Sequence, residues 1–194
     1  MDITEIAERN RQKALKILKD TGITGAWESI GATVNIVGSL KSGLMMKNLD
    51  IDLHIYTPQV VVAESFGVIE GLARRLALRE IHYRNLLDTD EECIEWHALY
   101  EDANGDVWKL DMIHIRKGSK YDGTVERATD AIISKLTPEI RETILRIKND
   151  VPEGLSIPGI EIYHAVFAGN VKSYAGLVLW RETNPLTNSM EWLP

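Results

Sequence analysis

The stretch VGSLKSGLMMKNLDIDLHI, residues 37–55, decides how this chain is read. Upstream of it ATVNIV, residues 32–37, is rich in β-branched residues and reads as a strand. Gly38-Ser39 interrupts that strand, and residues 40–46 read as a short helix. Residues 50–56, DIDLHIY, then alternate strictly. Ile51, Leu53 and Ile55 fall on one face of a strand, and Asp50, Asp52, His54 and Tyr56 fall on the other. Carboxylates at i and i+2 of a strand point the same way, so Asp50 and Asp52 can share hard cations. Their mutual repulsion is unfavourable until a cation offsets it. A Gly-Ser turn that opens a helix presents N–H groups and a hydroxyl, which suits phosphate oxygens. Two carboxylates, a phosphate cradle and Mg²⁺ together make a site for phosphoryl or nucleotidyl transfer.

Working outward, residues 3–18 carry apolar groups at helical spacing, with Asp2 as a cap and Gly22 as a stop. Residues 61–78 return to helical spacing after Pro58. Residues 95–100 and 107–115 read as two strands joined by EDANGD, whose Asn104-Gly105 centre signals a hairpin. In the second strand Lys109, Asp111 and Ile113 share a face, opposite Trp108, Leu110, Met112 and His114. Residues 81–87 are a further strand candidate. From Tyr121 the chain turns helical. Thr137-Pro138 divides the first run into two helices, residues 151–159 form a Pro/Gly linker, and Gly169-Asn170 splits a last helical pair. The final dozen residues, polar and flanked by Pro185 and Pro194, are expected along the surface.

The segment from Val37 resembles the signature of the DNA polymerase β-like nucleotidyltransferase superfamily. That signature is an apolar residue, Gly, then Gly or Ser, a gap of about ten, and Asp-apolar-(Asp/Glu)-apolar. Here it reads Val37-Gly38-Ser39, gap, Asp50-Ile51-Asp52-Leu53, and the strand–turn–helix–strand context extends it over residues 30–115. The resemblance implies an α+β nucleotidyltransferase fold. A small mixed, mainly antiparallel sheet would carry flanking helices and a helical C-terminal region that closes the cleft. It divides the chain into a catalytic domain, residues 1–120, and that helical region, residues 121–194. It also implies a third carboxylate on a later strand. Asp111 matches, since it sits mid-strand among apolar residues where an unpaired acid is costly. The plainer alternative for Asp111 is a salt bridge to Lys109 or Arg116. Glu95 and Asp106 fit less well.

The same resemblance implies the chemistry. Asp50 and Asp52 would hold two Mg²⁺ ions, and Asp111 would ligate the one nearer the acceptor hydroxyl and take its proton. Gly38 and Ser39 would contact the β- and γ-phosphates of a nucleoside triphosphate, ATP foremost. Lys41 and Lys47, in the intervening segment, are both candidates to steady phosphates. The product is a nucleoside monophosphate, AMP foremost, on a hydroxyl, with release of pyrophosphate.

Composition bounds the partners. The 194 residues include 29 acidic and 22 basic ones, a formal net charge of −7. Nucleic-acid binders draw most of their affinity from Lys and Arg on phosphates, so this balance disfavours a nucleic-acid partner. It favours a small hydroxyl-bearing acceptor, and a cationic one would suit an acidic cleft. Transfer to an RNA end or a protein side chain, or a non-catalytic nucleotide-binding module of the same fold, are the rival readings. A homodimer sharing an acceptor site stays open. The single Cys93 excludes an internal disulfide framework and reads as a small apolar filler. No run reaches the ~18 apolar residues that span a bilayer, so a soluble cytoplasmic protein is expected. His54 reads as a surface-strand histidine, with a catalytic or acceptor-contacting role as the alternative. His114 reads as packing, Trp96 and Trp108 as cross-strand packing with base stacking as the alternative, and Tyr163, Phe167, Tyr174 and Trp180 as packing of a helical pair that could also wall the acceptor cleft.

Overall fold

The computed structural model describes residues 2–186 and 192–194. It is an α+β protein built on one five-stranded sheet in the order β1-β2-β5-β4-β3. The strands are β1 (Thr33–Ile36), β2 (Asp50–Thr57), β3 (Leu78–Asn85), β4 (Cys93–Glu101) and β5 (Val107–Arg116). β2 and β5 run parallel, and the other three pairs are antiparallel. The sheet is therefore mixed and mainly antiparallel, as the motif implied.

Alternation in the strands divides the sheet into two faces. Ile51, Leu53 and Ile55 of β2, Ile94, Trp96 and Ala98 of β4, and Trp108, Leu110 and Met112 of β5 are buried on one of them. Three helices cover that face: α1 (Ile3–Thr21), α2 (Ile23–Glu28) and α4 (Val62–Ala73). Trp27 of α2 is fully buried there, its indole N–H on the Met112 sulfur. The opposite face carries the acids. α5 (Thr124–Lys135), α6 (Pro138–Asp150), α7 (Gly159–Gly169) and α8 (Tyr174–Thr183) contribute to a second core with Ala7, Leu44 and Met46. Thr137 caps α6 by accepting from the Ile140 N–H, with Pro138 in the first turn, as its sequence indicates.

Several expectations need correction. The helix after Gly38-Ser39, α3, spans Gly38–Ser42 and stops at Gly43 in the left-handed region. Leu44, Met45 and Met46 are not helical but a buried connector. Leu44 and Met46 join the second core and Met45 the first, the alternation of an extended chain between two apolar surfaces. α4 ends at Ala73, five residues early, because Leu76 and Leu78 are drawn into the sheet-side core and Leu78 already pairs with Tyr100. Expected over residues 81–87, the strand β3 starts three residues sooner. The segment α2 had no reading of its own; it restarts directly after Gly22, whose positive φ ends α1. Trp192 does not lie free on the surface: it packs on the second core beside His164 and Phe167. The rest of the expected surface tail includes residues 187–191, outside the described residues. No helix among the described residues is long and apolar enough to cross a membrane.

Candidate active site

Strand register assembles the acids. In the parallel β2–β5 pair Asp52 lies opposite Asp111 and Asp50 opposite Lys109, so all three carboxylates stand on the same face. Burial and repulsion act on the first two. Loss of water raises the Asp52 carboxyl to about 7, helped by the negative charges of Asp111 and Asp50; Lys109 and Lys148 offset part of this. Asp50 is raised for the same reasons, burial first and then Asp111.

Asp111 is held by two partners. Its Oδ1 lies 2.5 Å from His97 Nδ1 and its Oδ2 2.9 Å from Lys109 Nζ. Burial would lower the Lys109 ammonium, but its hydrogen bond to Asp111 and the three nearby carboxylates raise it overall. Arg116, the other partner considered for Asp111, pairs with Glu92 instead. His97 stands directly opposite Asp111 in the β4–β5 hairpin. The sequence reading missed it, although a register was within reach. A five-residue turn over 102–106 pairs Glu101 with Val107, and counting back sets 97 against 111. A two-residue Asn-Gly turn would set 98 there, so the turn length carries the information.

Gly38 sits against Asp52. Its φ is +64°, and a Cβ on it would lie 2.4 Å from Asp52 Oδ2 and 3.1 Å from Asp52 Cγ. The Val37 N–H donates to the Asp52 carbonyl at 3.1 Å, which clamps the start of α3 to β2 beside the acid. Ser42 Oγ donates to the Gly38 carbonyl at 2.9 Å. Only glycine satisfies both the backbone region and the close approach at this position.

Two cavities meet at Gly38 and Asp52. One, of about 280 Å³, is lined by Ser39, Asn48, Asp50, Lys148 and Tyr163 and by the apolar side of α5. The other, of about 230 Å³, is lined by His54, His97, Asp111, Ile113 and Val125. The helices α5, α6 and α7 thus supply one wall of the first cavity. Lys148 of α6 reaches across to donate to the Leu44 carbonyl at 2.6 Å and lies near Tyr163, 5.7 Å from its ring centre. It is the cation on the cleft wall, and nothing in the sequence points to it, because only long-range packing of α6 brings it there.

The two lysines singled out from the sequence lie elsewhere. Lys41 turns to Asp130 of α5 at 2.5 Å. Lys47 donates to the Val151 carbonyl at 3.1 Å and lines a separate groove with residues of the 151–157 linker. Neither lines the cavity at Gly38 and Ser39, because α3 ends after five residues and the chain leaves the cleft in extended form. His54 is likewise not a surface histidine. It is buried, with Nδ1 3.2 Å from Glu126 Oε2. Glu126 also accepts from Tyr56 Oη at 2.8 Å and Asn35 Nδ2 at 3.1 Å. Burial works to raise the Glu126 carboxyl, but the hydrogen bonds and charge of this cluster win and hold it at about 2. His114 packs on the helix-covered face, edge-on to Trp27.

Among the described residues no group of three or more His, Cys, Asp or Glu side chains converges into a metal cage. The donor chemistry nevertheless fits a hard cation. Asp50 and Asp52 are paired oxygen donors, stripped of water and mutually repelled, and a divalent ion relieves both penalties. Asp111 stands one strand away, its oxygens turned to His97 and Lys109.

The architecture is an α+β nucleotidyltransferase fold. No protein-family model and no curated protein matches the sequence; solved structures match the fold. The non-canonical poly(A) polymerase complex GLD-2–GLD-3 aligns with a TM-score of 0.57 at 13% identity, over 95% of this chain and 60% of that one. The Cid1 poly(U) polymerase with Mg 3′-dATP bound aligns at 0.53 and 16% identity, over 74% of this chain and 42% of that one. A cytoplasmic RNA terminal U-transferase aligns at 0.51 and 17% identity, over 75% and 45%. The chain spans about half the length of these proteins.

Proposed function

We propose that the chain is a metal-dependent nucleotidyltransferase. It would move a nucleoside monophosphate, AMP foremost, from a nucleoside triphosphate to a hydroxyl. The observation that carries this reading is the meeting of two cavities at one wall, Gly38 and Asp52, with Asp50 facing the first cavity and Asp111 the second. An inline transfer needs that layout: a donor on one side, an acceptor on the other, and the reacting phosphorus between them.

In this reading the triphosphate lies in the larger cavity. Gly38 allows it to approach the backbone, Ser39 offers a hydroxyl, and Lys148 supplies positive charge. Asp50 and Asp52 would hold Mg²⁺, with Asp111 completing the set on the acceptor side. When bound there, Mg²⁺ lowers the pKa of the attacking hydroxyl and neutralises charge on the phosphates. Asp111 accepts the hydroxyl proton, and His97 and Lys109 orient its carboxylate for that task. The acceptor oxygen–phosphorus bond forms, the bond between the α-phosphorus and the bridging oxygen breaks, and pyrophosphate leaves. Residues 1–120 would carry the chemistry and residues 121–194 the opposite wall.

A small hydroxyl-bearing acceptor agrees best with the charge pattern. The acceptor-side cavity is walled by Val37, Leu53, Ile113 and Val125 around His54, His97 and Asp111; among the described lining residues none is a lysine or arginine, and the neighbouring Lys109 is paired with Asp111. A second reading, transfer to an RNA 3′ end, draws on the likeness in fold to poly(A) and poly(U) polymerases. Incubation with labelled ATP, GTP, CTP or UTP and Mg²⁺ tests both, against a panel of small hydroxyl compounds and a short RNA. Label on a small acceptor with matching pyrophosphate supports the first reading, and a lengthened RNA supports the second. Nucleotide binding without turnover on any acceptor would point to a non-catalytic module.

A further inference from the structure

β3 ends the sheet, and seven of its eight residues are exposed. An edge strand offers a row of unpaired backbone donors and acceptors to another chain; the β3–β4 ladder shifts register between Leu78 and Glu80, so the regular stretch of β3 is Glu80–Asn85. Its two faces differ. Register with β4 puts Glu80, His82 and Arg84 on the acid-bearing face, and Ile81 and Tyr83 opposite Ala98 and Trp96 on the other. Ile81 is 41% exposed, Tyr83 36% and Phe66 of α4 45%. The rings of Phe66, Tyr83 and Trp96 lie 4.7–4.8 Å apart, so an aromatic cluster reaches solvent directly under the sheet edge.

The strand is self-complementary about His82. Antiparallel pairing of two copies about that residue sets Glu80 of each opposite Arg84 of the other, and Ile81 of each opposite Tyr83 of the other. A one-residue slip would set opposite faces against each other; moving the axis to Ile81 sets Glu80 against His82, and moving it to Tyr83 sets Arg84 against His82, so either loses the Glu80–Arg84 pairs. Opposite charges and apolar pairs across strands stabilise, whereas like charges oppose pairing, so one register is selected. Glu80 and Arg84 are each more than half exposed, so both can turn to a new partner; Glu95, which Arg84 would leave, is 16% exposed and keeps His97 at 3.6 Å.

We propose that the chain forms a two-fold homodimer in which the β3 edges pair antiparallel about His82 into one ten-stranded sheet. Facing residues in such a pair point the same way, so both acid clefts open on one side of the sheet. His82 lies opposite His97, His97 opposite Asp111, and Asp111 opposite Asp52. The two acid clusters therefore lie on a common row through the axis. Five strand intervals of about 4.8 Å put the two Asp111 positions about 24 Å apart.

Sedimentation analysis of the intact chain is the test, with circular dichroism to confirm that each variant folds. The expected mass is twice the 21.9 kDa of one chain. Every charge variant also carries Glu95→Gln, so that a reversed position 84 meets no like charge in its own strand pair. Glu80→Arg is expected to weaken association at least tenfold, and Glu80→Arg with Arg84→Glu to restore it. Ile81→Lys is expected to give a folded monomer. A monomeric parent chain at tens of micromolar would overturn the proposal. So would a dimer indifferent to Glu80→Arg and Ile81→Lys, or a folded double reversal that stays as weak as the single one.

Discussion

Gly38 concentrates the demands of the site in one residue. Its φ of +64° and the 2.4 Å approach that a Cβ would make to Asp52 Oδ2 act together. Gly38→Ala is therefore expected to cost about 1–3 kcal/mol of stability and to displace the Asp52 carboxylate. Thermal unfolding measures the first effect, and the KM for nucleotide against kcat the second. The Gly-Ser pair and the Asp50/Asp52 alternation were legible because both are local: a broken strand and a period of two. Lys148 and His97 were not, since one depends on packing of α6 and the other on the exact length of a turn. His114 adds a pH effect unrelated to the chemistry. Burial lowers its pKa from 6.5 to about 4, its Nε2 is 2.8 Å from Thr57 Oγ1, and its Nδ1 has no partner. Thr57 donates its own hydroxyl proton to the Gln59 carbonyl, so the Nε2–H tautomer of His114 serves the pair. The unfolded chain takes up a proton below pH 6.5 and the folded one does not until about pH 4. The contribution of His114 to stability should fall as pH drops across that window, by roughly 1.4 kcal/mol per pH unit, and be level above it. Asp52 acts in the opposite sense over the same range, so comparison with His114→Leu isolates the histidine: in denaturant titrations at pH 7.5 and 4.5, the change on going to pH 4.5 should be less favourable in the parent chain than in His114→Leu.

At the level of elements, the cleft exists because α5 is pinned to the sheet. Glu126 gathers Asn35 of β1 with His54 and Tyr56 of β2, and the Gly123 N–H donates to Tyr56 Oη at 3.2 Å. Glu126→Ala removes the shared acceptor of three side chains and should cost roughly 3 kcal/mol, the penalty of leaving buried donors unmatched. Faster hydrogen exchange in α5 than in β4 would locate the damage. The hydrophobic periodicity of residues 124–147 marked these helices, and Thr137-Pro138 marked their division. Periodicity could not show that Glu126 faces inward, since a lone acid on a helix is ordinarily solvated. Residues 44–46 show the reverse failure. Three consecutive apolar residues suit a helix as well as an extended connector, and only the presence of a core on either side selects the second.

For the whole molecule, the cleft lies between two cores, one under the sheet and one among the C-terminal helices. Apo stability and ligand binding should oppose each other there. Asp52 is raised from 3.8 to about 7, so the folded state holds a proton that the unfolded state has released. Stability is lost as pH rises from 3.8 through about 7, at about 1.4 kcal/mol per unit, and a cation on the carboxylates restores it. Asp52→Asn is thus expected to raise the melting temperature of the metal-free protein at pH 8 and to remove the rise that Mg²⁺ produces in the parent chain. The most direct measurement is pyrophosphate release with Mg²⁺, labelled nucleoside triphosphate and the acceptor panel, made in parallel on the parent chain and Asp52→Asn. The parent chain should release pyrophosphate in step with labelled acceptor, and Asp52→Asn should be slower by about 10²–10³-fold or more. Equal rates in the two proteins would contradict the assignment of the acids as the catalytic centre.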